Sequence, residues 1–306
     1  VITKKIGIAI VAPSGYARGD EAIERGIARL GARGFSVHNY YDPDQVFERF
    51  GGTDQARLEQ LAAAAANPAV RIVMALRGGY GLTRLLPHIN FEAMAASGKI
   101  FVGFSDFTAF QMALLARTGA GSMTGPMFFG DFGAPLEPVD FTLESFWRCL
   151  AGPTHQILTD TLGNPELETE GKIWGGNLAM LVSLLGTPYF PHVEQGILFV
   201  EDVNEHPYRV ERMLLQLHQA GVLARQRALI LGDFSSYQLS PADNGYAFET
   251  MLAYLRETLP IPVLGGLEFG HTARRVTIPF GAMARLSSDA TGFALTMRDY
   301  PTLPHD

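Results

Sequence analysis

One cysteine in 306 residues, Cys149, rules out an internal disulfide framework and a multi-cysteine metal site. It stands in Phe146-Trp147-Arg148-Cys149-Leu150, at helical spacing among apolar residues, which predicts a buried structural thiol and not a nucleophile. No apolar run approaches the roughly 18 residues a membrane helix requires. Basic blocks are missing too, and the formal charge of -7 is spread along the chain, so a phosphate-binding footprint for nucleic acid is not expected. Lys4-Lys5 followed by Ile6 to Ala12 has the look of a short signal peptide, but the run is brief and enters the turn Pro13-Ser14-Gly15, and a buried first strand is the better reading.

Metal and nucleotide signatures are also missing. The eight histidines, His38, His88, His155, His192, His206, His218, His271 and His305, form no His-Glu-x-x-His pair and have no cysteine partner. The glycine-rich stretch Arg77-Gly78-Gly79-Tyr80-Gly81 lacks the order of a dinucleotide fingerprint, and no Gly-Lys-Ser/Thr follows it as in a P-loop. Neither a metal nor an organic cofactor is therefore expected.

What is present is a well-packed composition, 47% hydrophobic and 18% charged, in a chain long enough for two domains. In the first half short apolar runs alternate with helical patterns. Strands are predicted over Ile6 to Val11, Phe35 to His38, Val70 to Leu76 and Ile100 to Phe104, and helices over Asp20 to Leu30, Asp54 to Ala66, Phe91 to Ala96 and Thr142 to Leu150, as in a flavodoxin- or Rossmann-like α/β domain with a parallel sheet. The signals weaken after Gly130, and Gly, Pro and alternating acidic residues between Gly152 and Glu170 suggest a boundary. The predicted organisation is an N-terminal domain over 1–155, a linker over 156–170 and a strand-rich α+β C-terminal domain over 171–306. Helices over Asn177 to Leu185 and around Val210 to Leu217, and strands over Gly196 to Val200, Ala228 to Leu231, Ile261 to Leu264, Arg275 to Ile278 and Phe293 to Met297, fill the second half.

The residue with the clearest chemical placement is Ser105. It follows the run Ile100 to Phe104 and precedes an apolar helical pattern, a strand-to-helix turn that would project its hydroxyl from the carboxyl edge of a sheet, with the next amide, that of Asp106, free to face an oxyanion. A serine hydroxyl needs a base to become a competent nucleophile near neutral pH. His271, after Gly265-Gly266-Leu267-Glu268-Phe269-Gly270, and His206, in Glu205-His206-Pro207, are the two candidates. Glu201 and Asp202 both follow Gly196 to Val200, and alternation along a strand allows only one of them to reach the histidine; the residues alone do not choose. Gly78, Gly79 and Gly81 let the backbone take turns closed to most residues and offer a second oxyanion donor.

Taken in order, Ala12-Pro13-Ser14-Gly15-Tyr16, Arg77-Gly78-Gly79-Tyr80-Gly81, Gly103-Phe104-Ser105-Asp106-Phe107-Thr108, Gly125-Pro126-Met127, Trp174-Gly175-Gly176-Asn177-Leu178, Leu198-Phe199-Val200-Glu201-Asp202, Glu205-His206-Pro207 and Phe269-Gly270-His271 closely resemble the serine LD-carboxypeptidases, also called muramoyltetrapeptide carboxypeptidases, which share their fold with the microcin-immunity hydrolases. The resemblance implies Ser105 as nucleophile, His271 as general base and acid, Glu201 as its orienting carboxylate, and the amides of Gly79 and Asp106 as oxyanion hole. It further implies a cytoplasmic, commonly dimeric enzyme of cell-wall recycling that releases terminal D-alanine from murein tetrapeptides without metal or organic cofactor. The substrate's free carboxylate calls for an arginine, with Arg77, Arg209, Arg274 and Arg275 as candidates, while Tyr16 and Trp174 either line the cleft or pack the domains together. Two other readings remain: an immunity-type hydrolase of a peptidyl-nucleotide amide, and a murein-peptide-binding protein without activity.

Overall fold

The computed structural model describes residues 5–135 and 140–304. Lys4 and His305 lie outside them. The first half runs β1 (Gly7–Val11), α1 (Asp20–Ala32), β2 (Ser36–Asn39), α2 (Asp54–Ala66), β3 (Val70–Ala75), α3 (Leu82–Leu85), α4 (Phe91–Ala96), β4 (Ile100–Gly103), α5 (Thr108–Thr118), β5 (Ser122–Thr124) and α6 (Asp140–Ala151). Its five strands pair in parallel in the order β2-β1-β3-β4-β5, the flavodoxin-like winding. Because side chains alternate across a strand, Ala9, Val11, Val73, Ala75 and Phe101 enter one core while Ile8, Ile10, Ile72, Met74, Ile100 and Val102 enter the other. That is why these strands read as continuous apolar runs. α2 has the bounds its sequence signals predict: Thr53 Oγ1 accepts from the Ala56 amide at 3.2 Å, and Asn67-Pro68 closes the helix. Cys149 is buried in α6, and burial pushes its thiol up to about 12.

The second half runs β6 (Thr154–Thr159), β7 (Leu167–Asn177), α7 (Leu178–Ser183), β8 (Gly196–Val203), α8 (Pro207–Gln219), β9 (Gln226–Ser235), α9 (Phe248–Thr258), β10 (Val263–Leu264), β11 (Ile278–Phe280), β12 (Met283–Asp289) and β13 (Gly292–Arg298). The order of its sheet is β10-β9-β8-β7-β12-β13-β6, parallel from β10 to β7 and antiparallel beyond. The 156–170 stretch holds most of β6 and the start of β7, both paired into this sheet.

The two halves are fastened together. β11 pairs antiparallel with β5 and so extends the first sheet. Of the strand expected over Arg275 to Ile278, only Ile278 has strand geometry. Arg275 instead turns its guanidinium onto the Asp131 carboxylate, both residues being buried, and lies 4.7 Å from the centre of the Phe104 ring. Thr142 Oγ1 donates to Ala273 O at 2.8 Å and accepts from the Arg275 amide at 3.1 Å, and Ser145 Oγ accepts from the Thr277 amide at 2.9 Å. These bonds pin the segment that follows His271 onto the first half. One apolar cluster, containing Phe107, Phe110, Leu178, Leu181 and Phe199, runs through both halves.

Candidate active site

Three segments of the first half converge at the carboxyl edge of its sheet, after β1, β3 and β4. Ser105 stands two residues past the end of β4 with φ 62°, a left-handed conformation that costs a non-glycine residue roughly 1–3 kcal/mol and that surrounding contacts must hold. Two glycines make the turn possible. A methyl group on Gly103 would come within 2.7 Å of the Phe107 ring, and one on Gly78 would stand 2.7 Å from Ser105 Oγ and 3.6 Å from the Asp106 amide nitrogen. The glycine loop after β3 therefore lies directly against the serine.

The Asp106 side chain ties the three segments into one unit. It is 1% exposed, and its Oδ2 accepts from Ser14 Oγ at 2.6 Å and from the Leu82 amide at 3.0 Å. Burial raises its carboxyl above the ordinary range, opposed by the bonds from Ser14 and Leu82 and by the charges of Arg57 and Arg49. Arg57, fully buried, donates to Pro13 O in the first loop and at 3.1 Å to Gly81 O in the second, while Asp54 holds its other nitrogen at 2.5 Å. Sequence reasoning assigned no role to Ser14 or Arg57. Ser14 stood inside a motif already singled out; Arg57 carried no signal beyond being an arginine on the buried face of a helix.

The second half supplies the rest. His271 Nε2 lies 3.0 Å from Ser105 Oγ and its Nδ1 lies 2.8 Å from Glu201 Oε2. Since a buried carboxylate at Nδ1 can only accept, that nitrogen carries the hydrogen and Nε2 is left to accept from the serine. The imidazole packs on the Phe104 ring, 5.1 Å between centroids. Glu201 is fully buried and also accepts from Asn177 Nδ2 at 3.2 Å. Both acidic residues lie inside β8, which runs three residues further than expected, and the pairing of β8 with β9 slips between Val200 and Asp202. Asp202 does not share the histidine: it accepts from the Ala179 amide at 2.8 Å at the start of α7 and, like Glu201, from Asn177 Nδ2, at 3.0 Å, with its carboxyl raised by burial.

The remaining candidates fall elsewhere. His206 precedes α8, 3.3 Å from Asp243 and in contact with the rings of Tyr208 and Tyr237. Trp174 is fully buried and donates to Gln226 Oε1 at 2.9 Å, so it packs and does not line a cleft. Arg209 pairs with Glu205, Arg274 with Glu268 and Arg275 with Asp131. Arg77 and Tyr16 border a cleft with Gly79. Among the described residues no group of three or more His, Cys, Asp or Glu is placed to hold a metal ion, and no helix is long and apolar enough to cross a membrane.

Comparison with known proteins agrees with this construction. Sequence models described as the LD-carboxypeptidase N-terminal and C-terminal domains match residues 8–125 and 170–286. The murein tetrapeptide carboxypeptidase of Pseudomonas aeruginosa is 30% identical over 92% of this chain and 93% of its own. The chain belongs to the LD-carboxypeptidase family. A crystal structure of muramoyltetrapeptide carboxypeptidase from Oxalobacter formigenes superposes on this LD-carboxypeptidase family member with a TM-score of 0.93, at 50% identity, covering 97% of this chain and 100% of that one. The chain is also similar to the Escherichia coli microcin C7 self-immunity protein MccF, 27% identical over 89% of this chain and 87% of its own.

Proposed function

We propose that this family member is a serine LD-carboxypeptidase that releases the terminal D-alanine of murein tetrapeptides. The observation that carries the reading is the hydrogen-bonded row Ser105, His271, Glu201, assembled from both halves of the chain. In this mechanism Ser105 Oγ attacks the carbonyl carbon before the D-alanine while His271 Nε2 takes the hydroxyl proton. Glu201 stabilises the imidazolium through Nδ1–H. The amides of Gly79 and Asp106 receive the oxyanion, a contribution worth on the order of 10²–10³ in rate for each such donor. Collapse breaks the C–N bond, with the proton passing from His271 to the departing amine. Water then attacks the acyl-serine, gives a proton to Nε2, and the return of that proton to Oγ restores the enzyme. No step asks for a metal.

Residues 1–155 contribute nucleophile and oxyanion hole and 171–306 contribute base and orienter, so the active unit needs both. We place this activity in cell-wall recycling in the cytoplasm and take the working form to be a homodimer, as the family resemblance suggests; fractionation and light scattering test these two points. Tetrapeptides ending in D-Ala or L-Ala, assayed beside an aminoacyl-sulfamoyl adenylate, test the substrate class. Cleavage of the D-Ala peptide alone is expected. Cleavage of the adenylate alone would replace the proposal with the immunity-type reading.

A further inference from the structure

A cleft of ≈ 560 Å³ opens at the point where the first sheet reverses its winding, between the loops that follow β1 and β3. Ligands of open α/β sheets bind at such switch points, and the volume falls in the range of small-molecule sites. Three arginines, Arg18, Arg49 and Arg77, line it with Tyr16 and Tyr80, and Glu48 is the one acidic residue on its wall. The site thus carries a surplus of positive charge in a chain whose net charge is -7.

These arginines differ from the others near the centre. Arg209, Arg274 and Arg275 each hold a carboxylate of the protein, whereas none of the cleft arginines has a carboxylate partner among the described residues. Arg18 and Arg49 lie near the Tyr16 and Tyr80 rings, 6.0 and 5.9 Å from the centroids. Arg77 is the most firmly placed. Half-buried, it donates from Nη1 to Tyr16 O at 3.3 Å, and its side chain passes so close to Gly15 that a methyl group there would stand 3.4 Å from Nε. The cleft comes within one residue of the serine's contacts: Gly79 forms part of its wall, and the neighbouring Gly78 packs on Ser105.

We infer that this cleft is the subsite for the substrate's terminal carboxylate, with Arg77 as its anchor and Arg49 and Arg18 supplying the surrounding positive field. The inference rests on the carboxypeptidase reading and deepens it. A guanidinium presents two parallel N–H donors to the two oxygens of a carboxylate, and one held by the backbone loses less freedom on binding than a free side chain would. The requirement for a free chain end is then set by the first half of the molecule, beside the serine.

Binding to Ser105→Ala, which removes turnover, tests this by calorimetry with two probes: a murein tetrapeptide ending in D-alanine, and the same peptide ending in D-alaninamide. The acid is expected to bind about tenfold more tightly or better. In Ser105→Ala/Arg77→Met the ratio should collapse to about one through loss of acid binding, with the amide's affinity unchanged and reporting an intact fold. Should the double variant not fold, Arg77→Lys, which keeps the charge and loses the fork, is expected to lower the ratio about threefold. Equal binding of acid and amide to Ser105→Ala, as when a side-chain carboxylate of the peptide is what the cleft holds, overturns the inference. So does failure of the acid to bind, or a ratio untouched by the Arg77 substitutions. Failure of the carboxypeptidase reading shows separately, as absence of D-alanine release by the wild-type protein.

Discussion

His271 Nε2 stands 3.0 Å from Ser105 Oγ across 166 residues of sequence, with the serine on the first sheet's edge and the histidine in a loop between β10 and β11. The segment after the histidine returns to the first half through Arg275, Thr277 and β11. The pairing of imidazole and hydroxyl is thus held by bonds between the halves within a few residues of the ring, and not only by the packing of two separate bodies.

The proposed orienting role of Glu201 predicts a large effect from a nearly isosteric change. Glu201→Gln keeps the side-chain shape and the volume but removes the charge that stabilises the imidazolium. A fall in kcat of about 10³–10⁴ is expected, with KM changed less than about threefold. Asp202→Asn, next in the same strand but bonded to the Ala179 amide and not to His271, should lower kcat less than about tenfold.

Gly78 should tolerate no side chain, because a methyl group would meet Ser105 Oγ at 2.7 Å. Displacing the hydroxyl by about 1 Å costs on the order of 10² in rate. Gly78→Ala is expected to show that loss in kcat while its far-ultraviolet circular dichroism stays unchanged.

Ser14 lies outside the proposed proton path yet should matter. Ser14→Ala withdraws the 2.6 Å bond to Asp106 Oδ2, leaves a buried carboxylate short of a donor and raises the Asp106 carboxyl further. Leaving such a group unsatisfied costs about 1–3 kcal/mol of stability, read from denaturant unfolding. Because Asp106 carries one of the proposed oxyanion amides, kcat should fall about tenfold, and Ser14→Thr should restore most of both.

Acid should destabilise the joint between the halves through His155. This residue of β6 is 5% exposed, sits 3.4 Å from Ser145 Oγ, and burial lowers its imidazole from 6.5 to about 4. Between these values the unfolded chain binds a proton that the folded chain does not, so stability falls as the pH drops from 6.5 towards 4, by on the order of 3 kcal/mol in total. The buried carboxyls of Asp106 and Asp202 are raised and act in the opposite sense, so the comparison is between wild type and His155→Gln. The variant's unfolding free energy should decline less across this window.

Much of the first sheet was legible because its strands are buried on both faces. The second half was harder to read. β6 alternates buried and exposed residues and the start of β7 alternates half-buried and exposed ones, whose acidic positions suggest a linker until their partners are known: Glu168 pairs with Arg285, and Glu170 with Arg298 at 2.7 Å, on strands more than a hundred residues later. Glu201 and Asp202 could not be told apart because strand parity does not say which face is inward, and the slip in pairing falls between Val200 and Asp202. His271 carried a motif but no local geometry, since its position depends on Arg275 meeting Asp131. α9 received no assignment, although Met251 and Leu255 had helical spacing and are buried.

Release of free D-alanine from a murein tetrapeptide by wild type and by Ser105→Ala tests the central claim most directly. Wild type should release one D-alanine per peptide, with the variant slower by about 10³-fold or more at unchanged thermal stability. Equal rates in the two proteins would contradict the mechanism.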